Sequence, residues 1–433
     1  MGPHAPSRTA RMSPLRPHSI GFTLLLGALV TLAAFSTDMG LPVLDATAAS
    51  LGVTPATAAL TLSVFMVGFA TGPLVFGPLS DRHGRRPVLL AAVATFALFG
   101  ALGAFAQSMG SLLAWRFVMG AGAGTAQVLV LATVRDLFAG AEARARQSYV
   151  NLAAGVAPIV APTLGVWVAA AGGWRAIYGA LAAGGVVLLA AAALGLRETA
   201  PRRAAAVRAA GTKAGGALRS YARVLRHPIT MGYALVMALC FGCLFAYVSG
   251  SSLVLIGLMG VSQRTYGALF AATAVGLMLG SFANARLSRR GAAPARLVTA
   301  GLTAIVAVAA VLLVLASVGG LRVWLLIPLI VVSHVGQGIV RPNAAQGALE
   351  PMADAAGVAG AVLTGLQMLG GALASGVAAS LFDGRTAVAM TGTMTVCALG
   401  AAAVYALVVR PAERRLAAAV PTLARQPELA AAA

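Results

Sequence analysis

The chain has 433 residues, 59% of them hydrophobic and only 10% charged, whereas a soluble globular protein carries about 25% charged residues. So few charges cannot cover a water-facing surface on a chain this long. The net charge of +20 raises the question of a nucleic-acid partner, which the placement of the charges argues against. They sit in short loops that alternate with long apolar runs, a pattern of membrane topology.

In chain order, runs of about 20 apolar residues recur, the length that crosses a hydrocarbon core of roughly 30 Å. They predict twelve membrane-spanning helices near 20–41, 57–76, 88–106, 112–134, 147–170, 175–195, 229–251, 266–285, 297–317, 322–342, 356–381 and 387–409. The first run follows Arg8, Arg11 and Arg16 but is too long for the apolar segment of a signal peptide, so it reads as span 1. An even number of spans puts both termini on one side. With that side cytoplasmic, 26 of the 31 basic residues fall inside, Arg175, Arg264, Arg322 and Arg385 fall outside, and Arg116 lies within a span. The positive-inside rule therefore places both termini in the cytoplasm. Lys213 is the lone lysine and alanine is abundant, a composition that looks like the coding bias of a GC-rich bacterial genome, so the expected location is the bacterial inner membrane.

One long polar segment interrupts the spans, after the sixth. It divides the chain into a cytoplasmic tail (1–19), a six-helix bundle (20–196), a cytoplasmic linker (197–228), a second six-helix bundle (229–409) and a cytoplasmic tail (410–433). A faint repeat supports the division: Leu79-Ser80-Asp81-Arg82 after span 2 is echoed by Leu287-Ser288-Arg289-Arg290 after span 8. Three cysteines cannot make a disulfide framework. Cys240 and Cys243 lie inside an apolar run, where they read as small helix fillers rather than a metal or redox site. No metal site, catalytic residue or cofactor is expected.

The strongest local signal is the loop Gly77-Pro78-Leu79-Ser80-Asp81-Arg82-His83-Gly84-Arg85-Arg86-Pro87. Its glycines permit a tight turn, Asp81 suits a positive helix N-terminus, and the arginines hold the cytoplasmic face. This loop resembles the signature motif between spans 2 and 3 of the major facilitator superfamily. Neighbouring stretches resemble the Bcr/CflA branch of its twelve-span drug:proton antiporters: Ser36-Thr37-Asp38-Met39 with Leu41-Pro42, Leu60-Thr61-Leu62-Ser63, Ala132-Thr133-Val134-Arg135-Asp136, Ala157-Pro158-Ile159-Val160-Ala161-Pro162 and Gly173-Trp174-Arg175. The likeness is detailed in the N-terminal half and looser in the C-terminal half.

The resemblance implies an all-α membrane protein of the major facilitator fold, two six-helix bundles rocking about a central cavity. It implies a cytoplasmic latch built from Gly77, Leu79, Asp81, Arg82, Gly84, Arg85, Arg86 and Asp136, which closes on span 11 in one state and opens in the other. It also implies an antiporter-type motif in span 5, Pro158, Pro162 and Gly165, that bends this helix. The implied activity is export of small drug-like molecules, of phenicol or bicyclomycin type, against inward protons. The proton gradient is the energy source, the partners are drug, protons and the lipid bilayer, and a monomer is expected. Gly40 and Asp45 stand where the family's span-1 motif usually has an aromatic residue and a second proline, which weakens any transfer of substrate preference. Asp45 offers a second acid near the cavity mouth.

Of eleven acids, Asp38 alone lies clearly within a span, and Arg116 is its basic counterpart. Charges in a membrane usually face a cavity or a partner. Both lie some 5 Å inside the outer boundary at about 1.5 Å per residue, on spans that neighbour each other in the facilitator fold. Asp38 shares a helical stripe with Ala34, Thr31 and Gly27, and Arg116 with Gly120, Gly124 and Gln127. Both stripes are small or polar, as a water-accessible cavity wall should be, and Gly120 and Gly124 could alternatively or additionally serve helix packing. A carboxylate whose charge responds to burial and to a guanidinium could load and release a proton as exposure alternates. In the C-terminal half, Phe241 and Phe245 in span 7, with Met237, and His334, Gln337 and Arg341 at helical spacing in span 10 suit an adaptable binding wall or plain core. No GxxxxGK[ST] loop for ATP occurs, and no carboxylate pair or Ser/His pair indicates an enzyme. The alternative is a facilitator for a metabolite such as an amino acid or sugar.

Overall fold

The computed structural model describes residues 15–138, 140–198 and 214–416. The expected tails beyond residues 15 and 416, part of the linker (199–213) and the side chain of Asp81 lie outside the described residues. In lipid every backbone N–H and C=O must be satisfied within the segment, which leaves helices as the spanning structure for these apolar runs. Eleven helices of the described residues are long and apolar enough to cross a membrane. One of them, Ala145–Gly195, has 51 residues, more than twice the length needed at about 1.5 Å per residue. Its dihedral angles leave the helical region at Gly172 and Gly173, where Gly173 takes φ +68°. Its two arms are spans 5 and 6, and with them the predicted twelve are present.

Polar caps begin these helices. Ser19 accepts from the Phe22 N–H, Thr54 from Thr57 and Ser262 from Thr265, while Ser108 and Ser111 form a capping box. Two boundaries differ from expectation in ways that matter. Span 1 ends at Asp38, followed by a 3-10 turn, Leu41–Val43, and a short helix, Leu44–Leu51. Pro42 lacks the N–H that would bond the Asp38 carbonyl, so the α-helix stops there. Span 10 runs Val323–Leu349 rather than ending near 342. Arg341, expected at the cytoplasmic edge, therefore lies inside the helix.

Apolar surface does not drive helices together in lipid, and small residues that let backbones touch take over that role. Span 2 (Pro55–His83) and span 4 (Met109–Leu137) meet in this way from both sides. A Cβ on Gly68 or Gly72 would strike the carbonyls of Phe117 or Ala121, and one on Gly120 or Gly124 those of Phe65 or Phe69. The same device recurs in the second half. Gly276 and Gly280 of span 8 (Gln263–Arg289) abut the carbonyls of Val331 and Val335 in span 10. Gly276, Gly280 and Leu287 each follow Gly68, Gly72 and Leu79 by 208 residues. The echo noticed in the loop thus continues into the packing.

Two large buried clusters form. One draws on spans 1 to 6, including Phe22, Phe65, Phe96 and Trp174. The other draws on spans 7 to 12, including Tyr247, Tyr266, Ile330 and Met394, and is joined by Leu41, Leu44, Ala58 and Leu62. Those four residues lie at the end of the bundle opposite the arginine-rich loops, where the two sets of spans are sewn together. The contact continues inward: the Ser63 hydroxyl of span 2 donates to Ser375 of span 11 (Ala356–Ser380) at 3.0 Å. A Cβ on Gly267 of span 8 would touch Thr163 of span 5. At the basic end the Arg135 guanidinium reaches the first turn of span 11 at Gly357.

Candidate functional site: a buried acid at the seam and a charge cluster at the basic end

Asp38 closes span 1 and is buried, 4% exposed. Its carboxylate accepts a hydrogen bond from the Thr37 hydroxyl at 2.8 Å. Arg116, 3% exposed, donates through Nη1 to the Ser36 carbonyl at 3.0 Å and the Ser36 hydroxyl at 2.6 Å, and through Nε to the Thr61 carbonyl at 3.3 Å. Its guanidinium lies 4.6 Å from the Phe65 ring centroid and 5.8 Å from that of Tyr178. Arg116 and Asp38 therefore sit at one level, but the structure forms no ion pair between them. The guanidinium holds the chain two residues before the acid and ties span 1 to spans 2 and 4.

Asp38 also stands at the seam between the halves. Met39 presents its carbonyl 2.1 Å from where a Cβ on Gly165 of span 5 would lie, and Leu41, three residues after the acid, packs into the buried cluster of spans 7 to 12. Gly165 is thus required by the close crossing of spans 1 and 5. Pro158 and Pro162 sit within the helix, whose departures from helical dihedral angles fall at Gly172 and Gly173 instead. Asp45 lies exposed on the first turn of the short helix after span 1.

The stripe Gly120, Gly124 beside Arg116 is a packing surface and not a cavity wall, since both glycines press on span 2. On span 1, Gly27 faces Ala153 of span 5, and the half-buried Thr31 donates to Ala28 of its own helix at 2.8 Å. Gln127 is half-buried one turn beyond Gly124.

At the basic end, Gly84 (φ +102°) turns the chain between span 2 and span 3 (Arg85–Ala104). Gly77 is open on its Cβ side, Leu79 is exposed and Arg82 occupies the last turn of span 2. Arg85 donates through Nε to Asp136 at 3.1 Å, each side chain only 12% exposed, and through Nη1 to the Ser80 hydroxyl at 2.7 Å. Arg86 donates to the Ala193 carbonyl at 2.6 Å. Glu198, just beyond span 6, accepts the backbone N–H groups of Arg85 and Arg86 at 2.9 and 3.1 Å. Its carboxylate caps the N-terminus of span 3, where unpaired N–H groups and the helix dipole favour negative charge. Sequence reasoning placed Glu198 in the linker and missed this role. An acid directly after span 6, next to a loop rich in arginine, was the available signal.

In the second half, Phe241 and Phe245 of span 7 (Pro228–Ser252) pack with ring centroids 4.6 Å apart. Phe241 and Met66 of span 2 both press on Gly371 of span 11. His334 is turned away from this wall: its Nδ1 bonds the Thr273 carbonyl at 2.8 Å and its ring meets Tyr247 edge-on. Gln337 is 1% exposed. Arg341, one turn further along span 10, lies over Phe241 at 5.6 Å.

A chain of twelve spans, with buried charges at the seam of two helix clusters, is a multi-pass membrane protein built like a carrier. It belongs to the Major Facilitator Superfamily, whose model matches residues 25–375. The chain is 32% identical to the uncharacterized MFS-type transporter YdgK of Bacillus subtilis, over 91% of this chain and 97% of the relative. It is 30% identical to a bicyclomycin resistance protein homolog of Haemophilus influenzae, over 87% and 93% respectively. The drug-resistance branch read from the motifs is therefore where a relative lies. In structure it resembles a bacterial homolog of the human lysosomal transporter Spinster, with a TM-score of 0.68 at 14% identity over 92% of this chain and 97% of that one. At that identity the likeness establishes the fold.

Proposed function

We propose that the protein is a proton-driven exporter of small drug-like molecules that works by alternating access in the bacterial inner membrane, with both termini cytoplasmic. The observation that carries this reading is the position of Asp38, a buried acid at the end of span 1, held by Thr37, beside span 5 at Gly165 and three residues before Leu41, which packs against spans 7 to 12. A carboxylate at the line where the halves part is the group whose exposure changes when they move. Its protonation is therefore tied to the conformation. The cluster of Arg85, Asp136 and Ser80, with Arg135 reaching span 11, supports a latch at the basic end. Charge-assisted bonds of this kind can be made in one state and lost in the other.

The drug-resistance name of a full-length relative supports drugs rather than metabolites as cargo, and gives the metabolite carrier no independent support. The test is a resistance profile. Cells expressing the chain should tolerate phenicol or bicyclomycin-type antibiotics better than controls, and a protonophore should abolish the difference. Tolerance that persists with the proton gradient collapsed contradicts the reading.

A further inference from the structure

Gln337 is a buried primary amide with no hydrogen-bond partner on either its oxygen or its nitrogen. Leaving such groups unpaired is costly, and a native chain that does so usually has another use for them. Arg341 lies one helical turn away on the same face of span 10. Its guanidinium rests on Phe241, and among the described residues no carboxylate pairs with it. Gln367 of span 11 has an unpartnered amide nitrogen and lies one turn before Gly371, which the Phe241 ring abuts. Unused donors and an unused acceptor are thus gathered about one aromatic wall.

The charge balance adds a direction. Arg341 is the charge at this wall, and the buried acid, Asp38, lies at the outer end of span 1 and not beside it. The wall therefore favours oxygen acceptors and negative charge over cations.

We propose that Gln337 and Arg341 of span 10, with Gln367 and the face of Phe241, form the anchoring subsite for the transported drug. It selects neutral or anionic compounds rich in carbonyl and hydroxyl oxygens over lipophilic cations. This assignment rests on the drug-export reading and names its substrate class. The planar guanidinium donates to a carbonyl or carboxylate of the drug, and the Gln337 amide supplies one donor and one acceptor. Phe241 and Phe245 cover an apolar or aromatic portion.

The experiment measures equilibrium binding of chloramphenicol and of tetraphenylphosphonium to the full-length protein in nanodiscs, together with its thermal unfolding. Arg341→Gln and Gln337→Met should each weaken chloramphenicol binding about tenfold, the scale of one lost hydrogen bond to a charged or buried group. Gln337→Met changes volume little and removes an unpaired amide, so it should also raise the unfolding temperature of the drug-free protein. Arg341→Glu should shift preference towards tetraphenylphosphonium. Wild-type protein that binds tetraphenylphosphonium more tightly than chloramphenicol overturns the proposal. So does a Gln337→Met variant that unfolds at lower temperature with chloramphenicol binding unchanged. If wild-type export is intact while these variants bind normally, the subsite alone fails. If the wild type exports no drug, the export reading itself fails.

Discussion

Arg116 on span 4 grips Ser36 on span 1 twice, through the carbonyl at 3.0 Å and the hydroxyl at 2.6 Å, two residues ahead of Asp38. The buried cation thus positions the acid through the chain that carries it. Arg116→Gln retains one donor group but loses the fork. It should destabilise the fold by about 2 kcal/mol, the scale of hydrogen bonds to a buried charge, and slow export as Asp38 shifts. Thermal unfolding in detergent measures the first effect and vesicle transport the second. Wild-type values for both would show that Arg116 does not position this segment.

Gly120 and Gly124 hold spans 2 and 4 in backbone contact, each with a carbonyl 2.1 Å from the Cβ position. Gly120→Ala should cost about 1–3 kcal/mol, as overpacking does. Gly110→Ala, with nothing within 4 Å of its Cβ position, should be close to neutral on the same helix. Equal unfolding temperatures for the two variants would refute the packing role.

Glu198 caps span 3 from beyond span 6. Glu198→Ala should cost about 1 kcal/mol, as loss of a helix cap does, and expose the Arg85 and Arg86 amides. Hydrogen exchange there should accelerate, and Glu198→Gln, which keeps an acceptor oxygen, should restore much of the protection.

In the turn between spans 11 and 12, Asp383 accepts the N–H groups of Arg385 and Thr386 at 2.9 and 2.8 Å and the Thr386 hydroxyl at 2.9 Å. These bonds hold its carboxyl below the ordinary value of 3.8. A depressed folded-state value stabilises the turn above the unfolded-state value, and the effect fades as pH falls through the folded one. Protection of these two amides, corrected for intrinsic exchange, should hold at neutral pH and fall in acid. Asp383→Ala should remove that dependence.

Much of this was legible in the sequence. Runs of apolar residues locate the spans because lipid leaves the backbone no alternative to the helix, and the glycine pair at 172–173 marks the turn between spans 5 and 6. Asp38 and Arg116 stand out because charges are rare in such runs. Which neighbour each face meets was not legible. A stripe of Gly120 and Gly124 looks the same whether it lines a cavity or presses on another backbone, and only the fold shows Phe65 and Phe69 against it. In the sequence Arg341 counts with the cytoplasmic charges because the apolar run of span 10 gives out near 342, yet the helix continues through Pro342 to Leu349. Glu198 gains its role from a helix more than 110 positions away.

The central claim is that Asp38 couples proton entry to drug export. Its most direct test uses proteoliposomes of the full-length protein, with chloramphenicol uptake followed under an imposed pH gradient and, separately, as exchange without one. Asp38→Asn should abolish accumulation driven by the gradient while leaving drug exchange measurable. A variant that still concentrates the drug at the wild-type rate would contradict the account.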